Sequence, residues 1–577
     1  MLGLSAARGR ATGGAGRRAR PARVCHAWYR SRWAEAVLAL ALVAVAAAVR
    51  WPYLMRLPHF TDETDEVRWA LAIWRGEIRP LTAADRYYGP LHAYLIAACL
   101  WLFGPSMLLP RALALAFGAL TVGATYLLGR ELAGRGAGLL AAALLATSPQ
   151  HIVVNSHVAW QNATTPFYST LCCWALARAL RTPAEIGACR GGRWLVLAGL
   201  LYGLTVQTHI GTIVLAPALA AAALLALARR RAWGALRRPW PYAAVGAALL
   251  AYGPVLVYNL THGLAGVHRV RARRDYAYET HPGWDSYRRN LGHLFYELAR
   301  MLSNPFRLPA RPLHYLTSPY LLVAAGLALL GLALLVRRGR PLPLLALAST
   351  AAVMPYFNHA YGVAGDRFLL TGRYVAFLLP PLLVAVAVAA LTLSGWALAA
   401  VPRRWRAPAS AAPLALLVLL VLYPLLPLAH YYREETARDP DNAAFLAAVQ
   451  TVEAERGPRT PVWLDQRLEK VDLHDGADAL NILDYLLTLD RQPHRVVADP
   501  GDALRRAAPT RDPADREALP LIVMSRDRCW PLRDEFPLER VGDTLLLREL
   551  FRYFAVYRDD PARPAARCRA PGQRPGG

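Results

Sequence analysis

Between residues 33 and 430 the chain runs again and again through about 20 residues of Ala, Leu and Val without a charge, and this pattern constrains the fold most. A helix of roughly that length crosses a hydrocarbon core about 30 Å thick. In lipid, the backbone N–H and C=O groups of such a segment must be satisfied within it, and a helix does this. The expected fold class is a polytopic α-helical membrane protein. Spans are expected at about 34–49, 90–104, 108–129, 135–149, 163–180, 194–208, 211–229, 240–260, 318–336, 341–357, 373–398 and 411–430. Several are short, and 194–229 reads as one kinked helix or two, so about 11 to 13 helices fit.

Only 18% of the 577 residues are charged, against about 25% in an ordinary soluble domain. Residues 1–32 carry eight arginines (Arg8, Arg10, Arg17, Arg18, Arg20, Arg23, Arg30, Arg32) and no acid. By the positive-inside rule this tail is expected in the cytoplasm. The segment is too long, and wrongly flanked, for a cleaved signal peptide. In a soluble protein a net charge of +26 would suggest nucleic acid. Here the arginines sit in the tail and in loops between apolar runs, where they set topology and attract anionic lipid. The expected partner is therefore the bilayer and not nucleic acid. Lys470 is the only lysine, so the arginine excess looks like a coding preference without functional meaning.

Two connections exceed a turn. Residues 51–88 form the expected first outer loop. Residues 261–317 mix Arg269, Arg271, Arg273, Arg274, Arg288 and Arg289 with Tyr276, Tyr278, Trp284, Tyr287 and Tyr296. That mixture suits an amphipathic segment in the interface, and equally an aromatic belt beside a solvated loop. From Tyr431 the composition turns polar. Helical patterns at 441–456 and 475–489 alternate with strand-like runs at 461–465, 495–498 and 519–525, and β-like stretches follow around 543–557. These predict a small α/β domain over 431–577, and its expected place outside the membrane requires an odd number of spans. It holds no Gly-rich nucleotide loop, and the chain shows no internal repeat. Cys99, Cys172 and Cys173 fall in apolar runs as packing residues. Cys529 and Cys568 share the C-terminal domain and can pair if it is extracytoplasmic.

Four short stretches carry candidate chemistry. The first outer loop contains His59-Phe60-Thr61-Asp62-Glu63-Thr64-Asp65-Glu66, four acids in five residues, followed by a helical pattern. An N-cap and the helix dipole account for one or two of them, but like charges this close repel. Asp62, Glu63 and Asp65 are therefore candidates for a general base or for ligands of a divalent cation. In Asp85-Arg86-Tyr87-Tyr88-Gly89-Pro90-Leu91-His92, Pro90 suits the first turn of a second membrane helix. Arg86 there suits either a lipid phosphate or a snorkelling anchor. A polar run from Ser148 through His157, Trp160, Gln161 and Asn162 suits a cavity lining, with Tyr88 and His92. Finally, Arg367, Arg373 and Tyr374 precede an apolar span, and a guanidinium matches a phosphodiester. No Cys/His spacing of the metal-binding kind occurs.

Taken in order, these stretches resemble the GT-C superfamily of membrane glycosyltransferases. They are most similar to bacterial relatives of protein O-mannosyltransferases (family 39 type) and of the aminoarabinose transferase that modifies lipid A. The resemblance covers roughly residues 33–400. It rests on Asp62-Glu63 with Gly76 fourteen positions later, Tyr88-Gly89-Pro90-Leu91, Pro110-Arg111, Gly129-Arg130 through Ser148-Pro149, and Gly372-Arg373-Tyr374. It implies transfer of a sugar from a polyprenyl-phosphate donor to an envelope acceptor (glycan, lipid or protein) outside a bacterial plasma membrane. Asp62 would be the base, with Asp65 the fallback, and Arg86, Arg367 or Arg373 would hold the donor phosphate. The chain departs from the aminoarabinose transferase pattern twice. Gly89 stands where that type has a lysine, and Asn162 or Gln161 where it has an aspartate, which leaves the sugar and any metal open. The alternative is a transporter or flippase of lipid-linked glycans, which would place ionisable residues at mid-membrane; here they cluster at the ends of spans. A purely structural membrane protein would leave the outer-loop acids unexplained.

Overall fold

The computed structural model describes residues 32–52, 54–55, 61–83, 87–181, 189–277, 284–303, 319–357, 370–438, 440–470, 479–507, 519–525, 538–541 and 554–559. The basic tail and the Cys529/Cys568 pair fall outside these residues.

Helix α1 (Arg32–Arg50) is followed by two short helices, α2 (Thr61–Trp74) and α3 (Leu91–Phe103). Helix α4 (Leu109–Ala133) then returns antiparallel to α1 and leads into α5 (Arg135–Ala146). Glu35, near the start of α1, therefore meets Arg130 near the end of α4 and Arg135 at the start of α5, the latter at 2.7 Å. A 67° bend joins α5 to α6 (Pro149–Ser156). The bundle continues through α7 (Thr165–Ala179), α8 (Cys189–Thr208), α9 (Leu215–Arg230), and α10 (Pro239–Ala251) bent by 65° into α11 (Gly253–Thr261). After α12 (Ala265–Ala277) and α13 (Trp284–Ser303), it closes with α14 (Pro319–Arg337), α15 (Leu342–Phe357), α16 (Leu379–Ala400), α17 (Ala411–Leu422) and α18 (Leu425–Arg438).

Among the described residues, six helical stretches are long and apolar enough to cross a membrane, and eight are if each bent pair is one span. Helices α7, α8 and α15 are shorter or more polar, but they run in the same bundle between these spans. Leu40, Leu250, Leu260, Leu329 and Leu416 point outward, as expected of a surface that meets lipid. One end of the bundle gathers arginines. There Glu131 holds Arg178 at 2.9 Å and Arg181 at 3.5 Å, and Arg230 donates to the Arg181 carbonyl at 3.2 Å.

The expected span at 90–104 is corrected by the structure. Helix α3 has 13 residues, about 20 Å of helix, too short for a core about 30 Å thick. Its buried Ala93, Ile96, Ala97 and Leu100 join one apolar cluster with Val67, Ala70 and Leu71 of α2 and with the C-terminal domain. It lies beside the bundle, with Leu109 and Leu113 of α4 packed against the same cluster. In the second long connection, α13 buries Leu294, Leu298 and Met301 against the bundle. Tyr287 donates to the Ala351 carbonyl at 3.0 Å and Asn290 to that of Pro355 at 3.0 Å. Within this stretch, Trp284–Ser303 forms an amphipathic helix, while Arg269, Arg271, Arg273 and Arg274 lie on α12.

The chain then enters α19 (Pro440–Glu455), β1 (Val462–Asp465), α20 (Ala479–Leu489), β2 (His494–Val497), α21 (Pro500–Ala507), β3 (Leu521–Ser525), β4 (Leu538–Val541) and β5 (Phe554–Asp559). The sheet order is β2-β1-β3-β5-β4. Strand β1 is parallel to β2 and β3, and β5 is antiparallel to β3 and β4. Successive side chains alternate faces. Val462 and Leu464 accordingly pack with α19 and α20, while Trp463 packs with Leu504 of α21.

Candidate active site

Helix α2 holds the acid cluster. Its first turn places Asp62 at the second helical position, Glu63 buried and Asp65 exposed. Glu63 faces Arg111 at the start of α4 in a two-point pair, with Nε–Oε1 and Nη2–Oε2 both 2.8 Å. The two residues are 2% and 1% exposed. Arg111 also donates to the Leu54 carbonyl at 2.8 Å, which ties α4 to the connection between α1 and α2. Tyr485 of α20 is fully buried near this pair; burial and then the Glu63 charge hold its phenol well above its ordinary pKa. His92, at the start of α3, is buried beside the Ala159 backbone and the Glu63 charge, and burial brings its pKa down to about 4. It is neutral at neutral pH.

The polar run 148–162 forms the floor of the site. The Ala159 N–H donates to Glu63 Oε1 at 3.3 Å. The next residue, Trp160, carries the Arg373 guanidinium 4.7 Å from its ring centroid. Arg373 lies at the same distance over the Tyr374 ring, so the cation is held between two aromatic faces. Trp160 itself is fixed by donating Nε1–H to the Val154 carbonyl at 2.9 Å. The side-chain oxygens of Gln161 and Asn162 are buried and have no hydrogen-bond partner among the described residues. His157 is fixed on the Arg50 carbonyl at 2.7 Å, with the Tyr432 hydroxyl 3.3 Å from the same nitrogen.

Arg50 ends α1 without any exposure. Its donors reach the carbonyls of Ala46 (3.0 Å), Ala146 (2.9 Å) and Leu145 (3.3 Å), Ser156 Oγ (2.9 Å) and His151 Nδ1 (2.9 Å). A guanidinium only donates, so His151 accepts at Nδ1 and carries its proton on Nε2. The charge is met by the carbonyl ends of α1 and α5, the negative ends of their dipoles.

On the remaining side, the Gly89 N–H donates to the Gln207 carbonyl at 2.8 Å, and His209 lies 5.7 Å from Tyr88 and 5.4 Å from Tyr374, ring to ring. Residues from α2, α3, the 148–162 run, the end of α8 and the turn Leu370–Tyr374 thus converge at one end of the bundle. Arg86 and Arg367 lie outside the described residues, as does the side chain of Asp62. Among the described residues, no group of three or more His, Cys, Asp or Glu is placed to hold a metal ion. Sequence reasoning missed Arg50, Gln207 and His209. The signal for the last two was present, since Gln207-Thr208-His209 interrupts the apolar run read as one kinked helix or two.

The site end of this helical bundle thus brings together a carboxylate-bearing helix and a stacked arginine. Residues 87–258 match the family model described as dolichyl-phosphate-mannose-protein mannosyltransferase. The structure is similar to that of ArnT from Cupriavidus metallidurans bound to undecaprenyl phosphate, with TM-score 0.52, 16% identity, and coverage of 90% of this chain and 97% of that one. The apo form of the same protein gives TM-score 0.50 at the same identity and coverage. No curated protein matches the chain in a sequence search. The chain thus shares its fold with ArnT and, over residues 87–258, is similar to the mannosyltransferase family model.

Proposed function

We propose that the chain transfers a hexose or pentose from a polyprenyl-phosphate donor to a cell-envelope acceptor at the outer face of a bacterial plasma membrane. The observation that carries this reading is the adjacency through Ala159 and Trp160. One of these two neighbours binds the acid helix at 3.3 Å and the other carries the Arg373 guanidinium at 4.7 Å. The helix that carries the assigned base and the cation assigned to the phosphate are thus held by adjacent residues, which supports a reading as a displacement at an anomeric carbon.

Asp62 is assigned as the base. Its place in the first turn of α2 puts it at the positive end of the helix dipole, which favours the ionised form. It removes the proton of the acceptor hydroxyl, and the oxygen attacks the anomeric carbon with inversion. The bond to the donor phosphate breaks, and polyprenyl phosphate leaves with its charge met by Arg373, joined by Arg86 and Arg367. Asp65 is the alternative base. Glu63 is taken up by Arg111 and braces the helix.

The orientation follows from charge. The arginine-rich end of the bundle is cytoplasmic by the positive-inside rule, and the opposite end, with α2 and the C-terminal domain on one shared core, is outside. Purified protein in lipid discs, given a panel of polyprenyl-phosphate sugars and envelope extract, is expected to release polyprenyl phosphate. No release across the panel from folded protein would overturn the reading in favour of lipid-linked glycan transport.

A further inference from the structure

Two side chains at the break between α8 and the turn Ile210–Val214 have polar atoms without an assigned task. His209 is 3% exposed, and neither ring nitrogen has a hydrogen-bond partner among the described residues. Gln207 is 5% exposed; its amide N–H donates to the Ala251 carbonyl, while Oε1 is left over. A buried polar group without a partner is destabilising by about 1–3 kcal/mol, so such a cluster points to a ligand that completes it.

The backbone around the pair is cut back to make room. A Cβ on Gly89 would stand 2.3 Å from Gln207 Oε1, and one on Gly211 would stand 2.6 Å from His209 Cε1. The half-buried rings of Tyr88 and Tyr374 flank His209 at 5.7 and 5.4 Å, and Tyr374 also carries Arg373. The buried imidazole and amide thus sit next to the cation assigned to the donor phosphate, between aromatic faces that reach solvent.

We propose that Gln207 and His209 form the hydroxyl-reading wall of a saccharide subsite bounded by Tyr88 and Tyr374, and so determine which sugar is accepted. The inference rests on the glycosyl-transfer reading above. Imidazole and carboxamide both donate and accept, as a sugar hydroxyl does. A site that hydrogen-bonds a hydroxyl rejects the analogue lacking it, because its own groups are then left unpaired.

The test measures binding of bare polyprenyl phosphate and of hexose, pentose and amino-sugar polyprenyl phosphates to the full chain in lipid discs. The wild type is expected to bind at least one sugar-bearing lipid about 10-fold more tightly than the bare lipid. His209→Phe keeps a ring without hydrogen bonds. It is expected to lose that gain while holding the bare lipid within about twofold of wild type. In a second arm, removing one hydroxyl from the preferred donor should cost the wild type about 10-fold and His209→Ala less than about twofold. This arm decides the matter if His209→Phe folds poorly. Retention of the full gain by His209→Phe, no gain in the wild type, or the same deoxygenation penalty in His209→Ala overturns the subsite and leaves the donor reading standing. A wild type that binds neither bare nor sugar-bearing lipid overturns the donor reading itself.

Discussion

Glu63 and Arg111 meet through two parallel 2.8 Å contacts inside the protein, joining the helix that carries the acid cluster to the first turn of α4. Removing one partner of such a pair strands a buried charge. Glu63→Ala and Arg111→Ala are each expected to destabilise by about 3–5 kcal/mol. The double variant Glu63→Leu with Arg111→Met is expected to lose much less than the sum. Denaturation in lipid discs reads all three; an additive double variant would show that the residues act independently.

Arg50 makes a sharper demand. All five of its N–H groups are engaged, and a lysine ammonium offers three. Arg50→Lys is therefore expected to lower thermal stability, and Arg50→Ala to lower it further, with a shortfall of about 1–3 kcal/mol for each acceptor left buried and unmet. Unchanged melting of Arg50→Lys would contradict the assignment of this residue as the joint between α1 and α5.

Much of the fold was legible because lipid allows few solutions. Uncharged runs of spanning length marked the apolar helices. In the α/β domain α19, α20, β1, β2 and β3 lie within a few residues of the expected positions, whereas α21 and β4 were not expected and residues 543–553 lie outside the described residues. Helix α3 misled because the sequence of an apolar helix does not say what covers it. Ile96 and Leu100 fall in a run read as a span, yet they are buried in one cluster with α2 and with residues of α20, more than 300 residues further along the chain. The site was legible where charge density was anomalous, as at 62–66 and around Arg373. It was not legible where a residue's meaning depends on its partner. Arg50 carries no signal of its own in the sequence, and its role emerges only where the ends of α5 and α6 close on it; His209 likewise gains meaning only where Tyr88 and Tyr374 flank it.

That long-range cover gives a test of the C-terminal domain. Leu483 is fully buried in the core shared with Val67 and Leu71 of α2. Leu483→Ala is expected to destabilise by about 2–5 kcal/mol. It should also raise hydrogen exchange over Thr61–Trp74, although the substitution lies in another domain. Unchanged exchange in α2 would mean that the acid helix is held by the bundle alone.

Acid should loosen the same contact. Burial alone would raise the Asp484 carboxyl, but the His494 hydrogen bond and the charges of His494, Arg75 and Arg68 outweigh it and leave the pKa lowered from 3.8. A lowered folded pKa gives stability that is present above the unfolded value and lost as the pH falls through the folded one. Arg75 also donates to Thr488 at 3.1 Å, so the loss should appear where α2 meets α20. The domain is expected to weaken below about pH 4, and Asp484→Asn is expected to flatten that part of the profile. A profile unchanged by the substitution would contradict the assignment.

For the cation, Arg373→Ala is expected to raise the donor KM by about 10-fold or more, the scale of one charge-assisted contact. Arg373→Lys should recover only part, since an ammonium cannot lie flat between Trp160 and Tyr374 as a guanidinium does. An unchanged KM would reduce Arg373 to an anchor.

Release of polyprenyl phosphate from a sugar-bearing donor in lipid discs, wild type against Asp62→Asn, tests the central claim most directly. The account predicts release by the wild type and its loss in Asp62→Asn, with folding, membrane insertion and donor binding unchanged. Full turnover by Asp62→Asn with loss in Asp65→Asn would move the base one turn along α2. Full turnover by both variants would contradict the mechanism.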